Sequence, residues 1–159
     1  MSATRRYITR PRLKDFDYTG TYTYHLVLTT RGRQAVLTGA VADNCISELG
    51  ESAALHEFEV LAFAVMPNHV HLLIVGLSAQ SNAIRFVQRL KQKTSYAWVQ
   101  EHGEKLWQPS FYDHAIRHQE EVKQTARYIV ENPVRAGLTR VWDDWPLLGG
   151  TLVAPRGRS

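Results

Sequence analysis

Apolar positions along the chain follow two periods. Four stretches, Tyr22–Thr30 (YTYHLVLTT), Phe58–Met66 (FEVLAFAVM), His69–Val75 (HVHLLIV) and Phe111–Arg117 (FYDHAIR), are dense in β-branched and aromatic residues and bounded by turn formers, which predicts strands. Between them, Asp43–His56 brings Cys45, Ile46, Leu49, Ala53 and Ala54 close to a helical repeat, with Asp43 as candidate N-cap. The longest helical stretch, Ser81–Glu101, directs Ile84, Val87, Leu90, Tyr96 and Trp98 toward a core and Arg85, Arg89, Lys91 and Lys93 toward solvent. A last helix is expected over Gln119–Glu131, closed by Asn132-Pro133 because a residue preceding proline disfavours helical geometry. Pro67-Asn68 marks a turn, so the second and third strands form an antiparallel hairpin.

Strand, helix, strand, strand, helix, strand is the split βαβ order. The expected fold is therefore α+β: a ferredoxin-like or RRM-like antiparallel sheet, with one helix added at the C-terminal side. A length of 159 residues suits one domain, divided into an arm over 1–20, a core over 21–133 and a tail over 134–159 in which Trp142 and Trp145 fold back on the core. Cys45 is the sole cysteine, which excludes an intramolecular disulfide and a cysteine-rich zinc site. The start carries no apolar leader and the apolar runs are too short to span a bilayer, so a cytoplasmic protein without a membrane partner is expected. The net charge of +4 is modest, yet Arg5, Arg6, Arg10, Arg12 and Lys14 fill the first fourteen residues with no acid among them. Such an arm suits a phosphate backbone or serves as a solubilising tail.

Candidate chemistry begins at His69-Val70-His71. Residues i and i+2 of a strand share a face, so the two imidazoles point the same way with Cβ atoms roughly 7 Å apart. They are either core histidines satisfied by backbone carbonyls or two ligands converging on one ion. Tyr128 and Asn132, spaced i and i+4, lie one helical turn apart, their Cβ atoms about 6 Å from each other. A phenol beside an amide oxygen is a useful pair next to a metal: the ion polarises a phosphate that the phenol attacks.

Three ordered motifs, MPNHVHLLI, WQPSFYDHAIR and YIVENPVRAGL, resemble those of the REP-associated tyrosine transposases, a branch of the IS200-like single-tyrosine transposases in the HUH endonuclease superfamily. The resemblance runs from about Tyr24 to Trp145. It implies that His69 and His71 form the metal-binding HUH motif, that Tyr128 is the nucleophile and that Asn132 is the third ligand of Mg²⁺ or Mn²⁺. It implies cleavage of single-stranded DNA beside a palindromic hairpin through a 5′-phosphotyrosine, with rejoining by another 3′-hydroxyl. Arg5, Arg6, Arg10 and Arg12 are candidates to contact the foot of the hairpin, and Arg85, Arg89, Lys91 and Lys93 its stem. His114, with Asp113 beside it, could support the site or make a structural hydrogen bond. Trp107, Trp142 and Trp145 either stack on unpaired bases or, as expected here, pack in the core and tail.

Two other classes are considered. A histidine-triad nucleotide hydrolase needs a third histidine where Leu73 stands. A non-catalytic hairpin DNA- or RNA-binding module of RRM type displays aromatics on its central strands, where this chain has histidines and aliphatics. The single-tyrosine relatives commonly dimerise; the C-terminal tail here favours a monomer acting in cis.

Overall fold

The computed structural model describes residues 7–8 and 17–153. Arg5, Arg6, Arg10, Arg12 and Lys14 lie outside them. The elements in chain order are β1 (Tyr7–Ile8), β2 (Thr23–Thr29), α1 (Gly39–His56), β3 (Phe58–Val65), β4 (His69–Gly76), α2 (Ala83–His102), β5 (Phe111–Ile116), α3 (Gln119–Val130), α4 (Asn132–Arg135) and β6 (Leu148–Gly149). They build one antiparallel sheet ordered β1-β5-β2-β4-β3-β6. Its inner four strands are the split βαβ of the expected ferredoxin-like fold, with β2 and β4 at the centre.

Strand alternation divides the core between the two faces of the sheet. Tyr24, Leu26 and Leu28 of β2 and Val70, Leu72 and Ile74 of β4 face α1 and α2, where they meet Cys45, Leu49, Phe86 and Leu90. Burial pushes the Cys45 thiol up to about 12, as suits a core residue. The opposite face packs against α3: Leu73 and Ile116 with Val122, Ala126 and Ile129. A register shift between Val60 and Ala62 lets β3 serve both layers, and it aims Ala62 and Ala64 at α3. Both alanines are fully buried. With only a methyl group at each position, α3 settles close against the sheet, and its last turn reaches the start of β4.

Several boundaries differ from the sequence reading. Helix α1 begins at Gly39, preceded by an extended Thr38, so Asp43 lies inside the helix instead of capping it, and Ala54 is exposed. On α2, Tyr96 is 69% exposed while Phe86 is fully buried. Both changes follow from helical phase: Phe86, Leu90 and Thr94 repeat at four-residue steps on the inner face, and Tyr96 is half a turn from Thr94. Asn132-Pro133 does not end helical structure. It divides α3 from α4, because proline lacks the N–H that a continuous helix needs but is tolerated in a new first turn.

The tail crosses the outer edge of β3. Trp145 donates its indole N–H to the Val65 carbonyl (3.1 Å), the Val65 amide donates to Leu147 (2.8 Å), and Leu152 donates to Leu61 (2.9 Å). Gly150 makes this approach possible: its φ is +117°, and a Cβ there would stand 2.4 Å from the Leu61 carbonyl oxygen. Trp107 is a core residue whose indole donates to Thr94 Oγ1 (2.8 Å). No helix among the described residues is long and apolar enough to cross a membrane.

Candidate active site

The turn before β4 sets the first histidine. Met66 donates to the His69 carbonyl (2.8 Å), Leu37 donates to Pro67 (2.9 Å), and the Thr30 amide donates to the Asn68 carbonyl (3.0 Å) while its hydroxyl donates to the Gln34 carbonyl (2.7 Å). Held there, Asn68 Oδ1 stands 2.7 Å from His69 Nδ1. A carbonyl oxygen accepts, so the proton is on Nδ1 and the lone pair of His69 lies on Nε2. The His69 ring is half-buried, at the mouth of the site.

His71 lies deeper, 3% exposed, with its ring centroid 4.9 Å from that of His69. Its two nitrogens are engaged on opposite sides. Asn132 Nδ2 is 2.8 Å from Nε2, and His25 Nε2 is 3.0 Å from Nδ1. An amide nitrogen can only donate. His71 therefore carries its lone pair on Nε2 and its proton on Nδ1, which it donates to His25. Tyr128 completes the cluster: its ring stands edge-to-face with His71 (5.9 Å between centroids) and with His25 (6.2 Å). Across the join between α3 and α4, Tyr128 and Asn132 remain one turn apart and both face the histidines, so the structure brings together His69, His71, Tyr128 and Asn132.

Among the described residues no three His, Cys, Asp or Glu side chains group as metal ligands. Two imidazoles and one amide form the donor set instead. Both imidazoles present Nε2 lone pairs. Nε2 of His71 and the Asn132 amide are 2.8 Å apart, close enough for both side chains to serve one ion. Turning the amide about its last bond would offer Oδ1 at that place. Two imidazole nitrogens and one amide oxygen could hold a divalent ion and would leave its other positions to water and phosphate oxygen.

His25, on β2, is a further member of the cluster. Strand alternation puts it on the histidine face, but only the pairing of β2 with β4 sets its ring against His71, 5.3 Å between centroids. His114 stands opposite His25 in the register, on the same face, and its Nε2 is 2.6 Å from Glu121 Oε1 at the exposed start of α3. Asp113 is opposite Leu26 and so belongs to the other face of the sheet, away from His71.

The basic residues of α2 are dispersed. Arg89 donates from Nη1 to Ser52 (2.8 Å) and pairs with Glu48 (3.2 Å), joining α2 to α1. Lys91 donates to the carbonyls of Gln108 (2.8 Å) and Ser110 (3.0 Å). Arg85 and Lys93 are exposed. Arg85 is in the first turn of α2, where its amide donates to the Asn82 side chain (3.0 Å).

The fold is α+β, with a tyrosine, an asparagine and three histidines gathered on one face of its sheet, and the family follows from direct comparison. The family model for IS200-like transposases matches residues 18–132, from just before β2 to the amide of the cluster. The chain belongs to that family of tyrosine transposases, enzymes that cut and rejoin DNA strands. It is 30% identical over 149 residues to a protein of Haemophilus influenzae assigned as a REP-associated tyrosine transposase, covering 84% of this chain and 81% of that protein. It is 34% identical over 95 residues to the ISDra2 transposase TnpA of Deinococcus radiodurans, covering 55% and 68%. A REP-associated tyrosine transposase solved with a REP hairpin bound has the same fold, with a TM-score of 0.75 at 23% identity over 87% of this chain and 82% of that one.

Proposed function

We propose that this protein cleaves single-stranded DNA beside a palindromic hairpin and rejoins strands through a covalent tyrosine intermediate. The observation that carries the reading is the convergence of Tyr128 and Asn132 on His71, from the two sides of a helix break onto the centre of the sheet. His69, His71 and Asn132 would hold Mg²⁺ or Mn²⁺, which when bound withdraws charge from a phosphate oxygen. Tyr128 Oη attacks the phosphorus, the P–O3′ bond breaks, and the upstream strand leaves as a 3′-hydroxyl while the downstream strand stays on the tyrosine through its 5′-phosphate. The exchanged bonds are both phosphodiesters, so a 3′-hydroxyl can reverse the step without an outside energy source. Buried His71 keeps its orientation through His25, and half-buried His69 stands at the entrance.

That one solved relative carries a bound REP hairpin supports a hairpin-bearing substrate. The arm with Arg5, Arg6, Arg10 and Arg12 is proposed to contact the foot of the hairpin, mostly at phosphates, with exposed Arg85 and Lys93 meeting the stem. The enzyme is placed in the cytoplasm, where its DNA is. The alternative of an RRM-like binding module is disfavoured by α3, which covers the sheet face such modules use for bases.

The test is nicking of an oligonucleotide that carries a palindromic hairpin from the source genome, with Mg²⁺ or Mn²⁺. Cleavage of the single strand and its loss in the His69→Ala, His71→Ala double variant are expected. Undiminished cleavage by that variant, or preference for plain duplex, would refute the reading.

A further inference from the structure

Tyr128 stands in the last turn of α3, where the helix is interrupted. Pro133 has no N–H to offer the Ile129 carbonyl, the helix stops at Val130, and α4 starts again at Asn132. A helix end of this kind frays, which would leave an attacking phenol badly aimed. A side chain from beyond the break holds this turn. Arg135, on α4, donates from Nη2 to the backbone carbonyl of Tyr128, seven residues back. Its guanidinium carbon lies 4.0 Å from the centroid of the Tyr128 ring, in cation–π contact, and Nη1 is 3.9 Å from Glu131 Oε2. The tyrosine ring is therefore held by Arg135 and bordered by the edges or faces of His71 and His25. Arginine suits this position because its planar fork can stack and donate at once, whereas an ammonium does one or the other.

We propose that Arg135 is a positioning residue for the nucleophile: it clamps the Tyr128 ring from the far side of the helix break and thereby fixes the direction in which the phenol oxygen meets the phosphate. The inference rests on Tyr128 being the attacking group. Arg135 acts through the tyrosine and not through substrate affinity, so its removal changes the rate at saturating DNA and leaves binding alone.

The experiment compares Arg135→Gln, Arg135→Lys and Tyr128→Phe in the full chain, with a hairpin-bearing single strand and Mn²⁺. Covalent adduct formation is followed in a single turnover, DNA affinity by fluorescence anisotropy, and the tyrosine itself by ¹⁹F NMR of fluorotyrosine-labelled protein without DNA, the Tyr128 resonance being the one absent from Tyr128→Phe. Expected are a fall of roughly 10²-fold in adduct rate for Arg135→Gln at saturation, an unchanged dissociation constant, a displaced Tyr128 resonance, and partial recovery of rate and resonance in Arg135→Lys. An unchanged rate at saturation with an unmoved resonance overturns the clamp. So does a loss confined to the dissociation constant, which would mark Arg135 as a phosphate contact. An adduct that persists in Tyr128→Phe overturns the nucleophile reading beneath it, while the resonance still reports on the clamp.

Discussion

At the scale of single residues, the site is a chain of hydrogen bonds whose direction is fixed at one end. The Asn132 amide donates to His71 Nε2, so His71 must donate from Nδ1 to His25, and His25 in turn fixes the ring plane of the most buried histidine in the cluster. A partner of that kind orients a ligand and raises its basicity. In His25→Ala, affinity for Mn²⁺ is expected to fall about 10- to 100-fold while the fold is retained; a metal titration on the purified protein reads it, and unchanged affinity would remove His25 from the site. His69 and His71 could be read from sequence because a His-x-His step on a strand places both rings on one face whatever surrounds them. His25 could not, since alternation fixes its face but only the neighbouring strand's register says what lies beside it. The two-residue offset between His25, paired with Leu73, and Val27, paired with His71, is a property of the assembled sheet.

Elements add what residues alone do not set: the height of α3 above the sheet. Ala62 and Ala64, directed at α3 by the register shift in β3, allow the close approach that carries Tyr128 and Asn132 to His71. Leucine at position 64 should lift the helix. Overfilling such a site costs about 1–3 kcal/mol, so Ala64→Leu is expected to lower the unfolding free energy measured in urea by that amount and to slow cleavage at saturating DNA; unchanged stability and rate would show that the contact has slack. Strands and helices were legible in their kind and order because their periods are strong. Their ends were not. Thr38 precedes α1 without a side-chain cap, five residues before the expected cap Asp43, and Pro133 opens a turn where a proline rule predicts a stop. The clustering of Tyr128 and Asn132 survived that error because Glu131, at the join, keeps near-helical angles (φ −84°, ψ −5°) and preserves the one-turn spacing.

At the scale of the whole molecule, both sides of the four-strand core are occupied. Tyr7–Ile8 pairs with β5 at one side, and Leu148–Gly149 with the residues around it covers β3 at the other. An open sheet edge invites pairing with a second chain, so the 159-residue chain is proposed to be a monomer of 18.1 kDa, and a chain ended at residue 140 is expected to self-associate. Sedimentation distinguishes these; a dimer of the full chain would contradict the role given to the tail. Sequence pattern suggested a folded-back tail from Trp142 and Trp145, but not where it lies, since Gly149 and Gly150 carry no hydrophobic signal and their value is the space they leave beside Phe63 and Leu61. The central claim concerns Tyr128, and one labelling experiment tests it most directly. A hairpin-bearing single strand labelled at either end is incubated with protein and Mn²⁺ and resolved under denaturing conditions. The 3′-end label is expected to travel with the protein, the 5′-end label to be released on a fragment with a free 3′-hydroxyl, and Tyr128→Phe to yield neither; a 5′-end label bound to the protein, or an adduct in Tyr128→Phe, would contradict Tyr128 as the nucleophile.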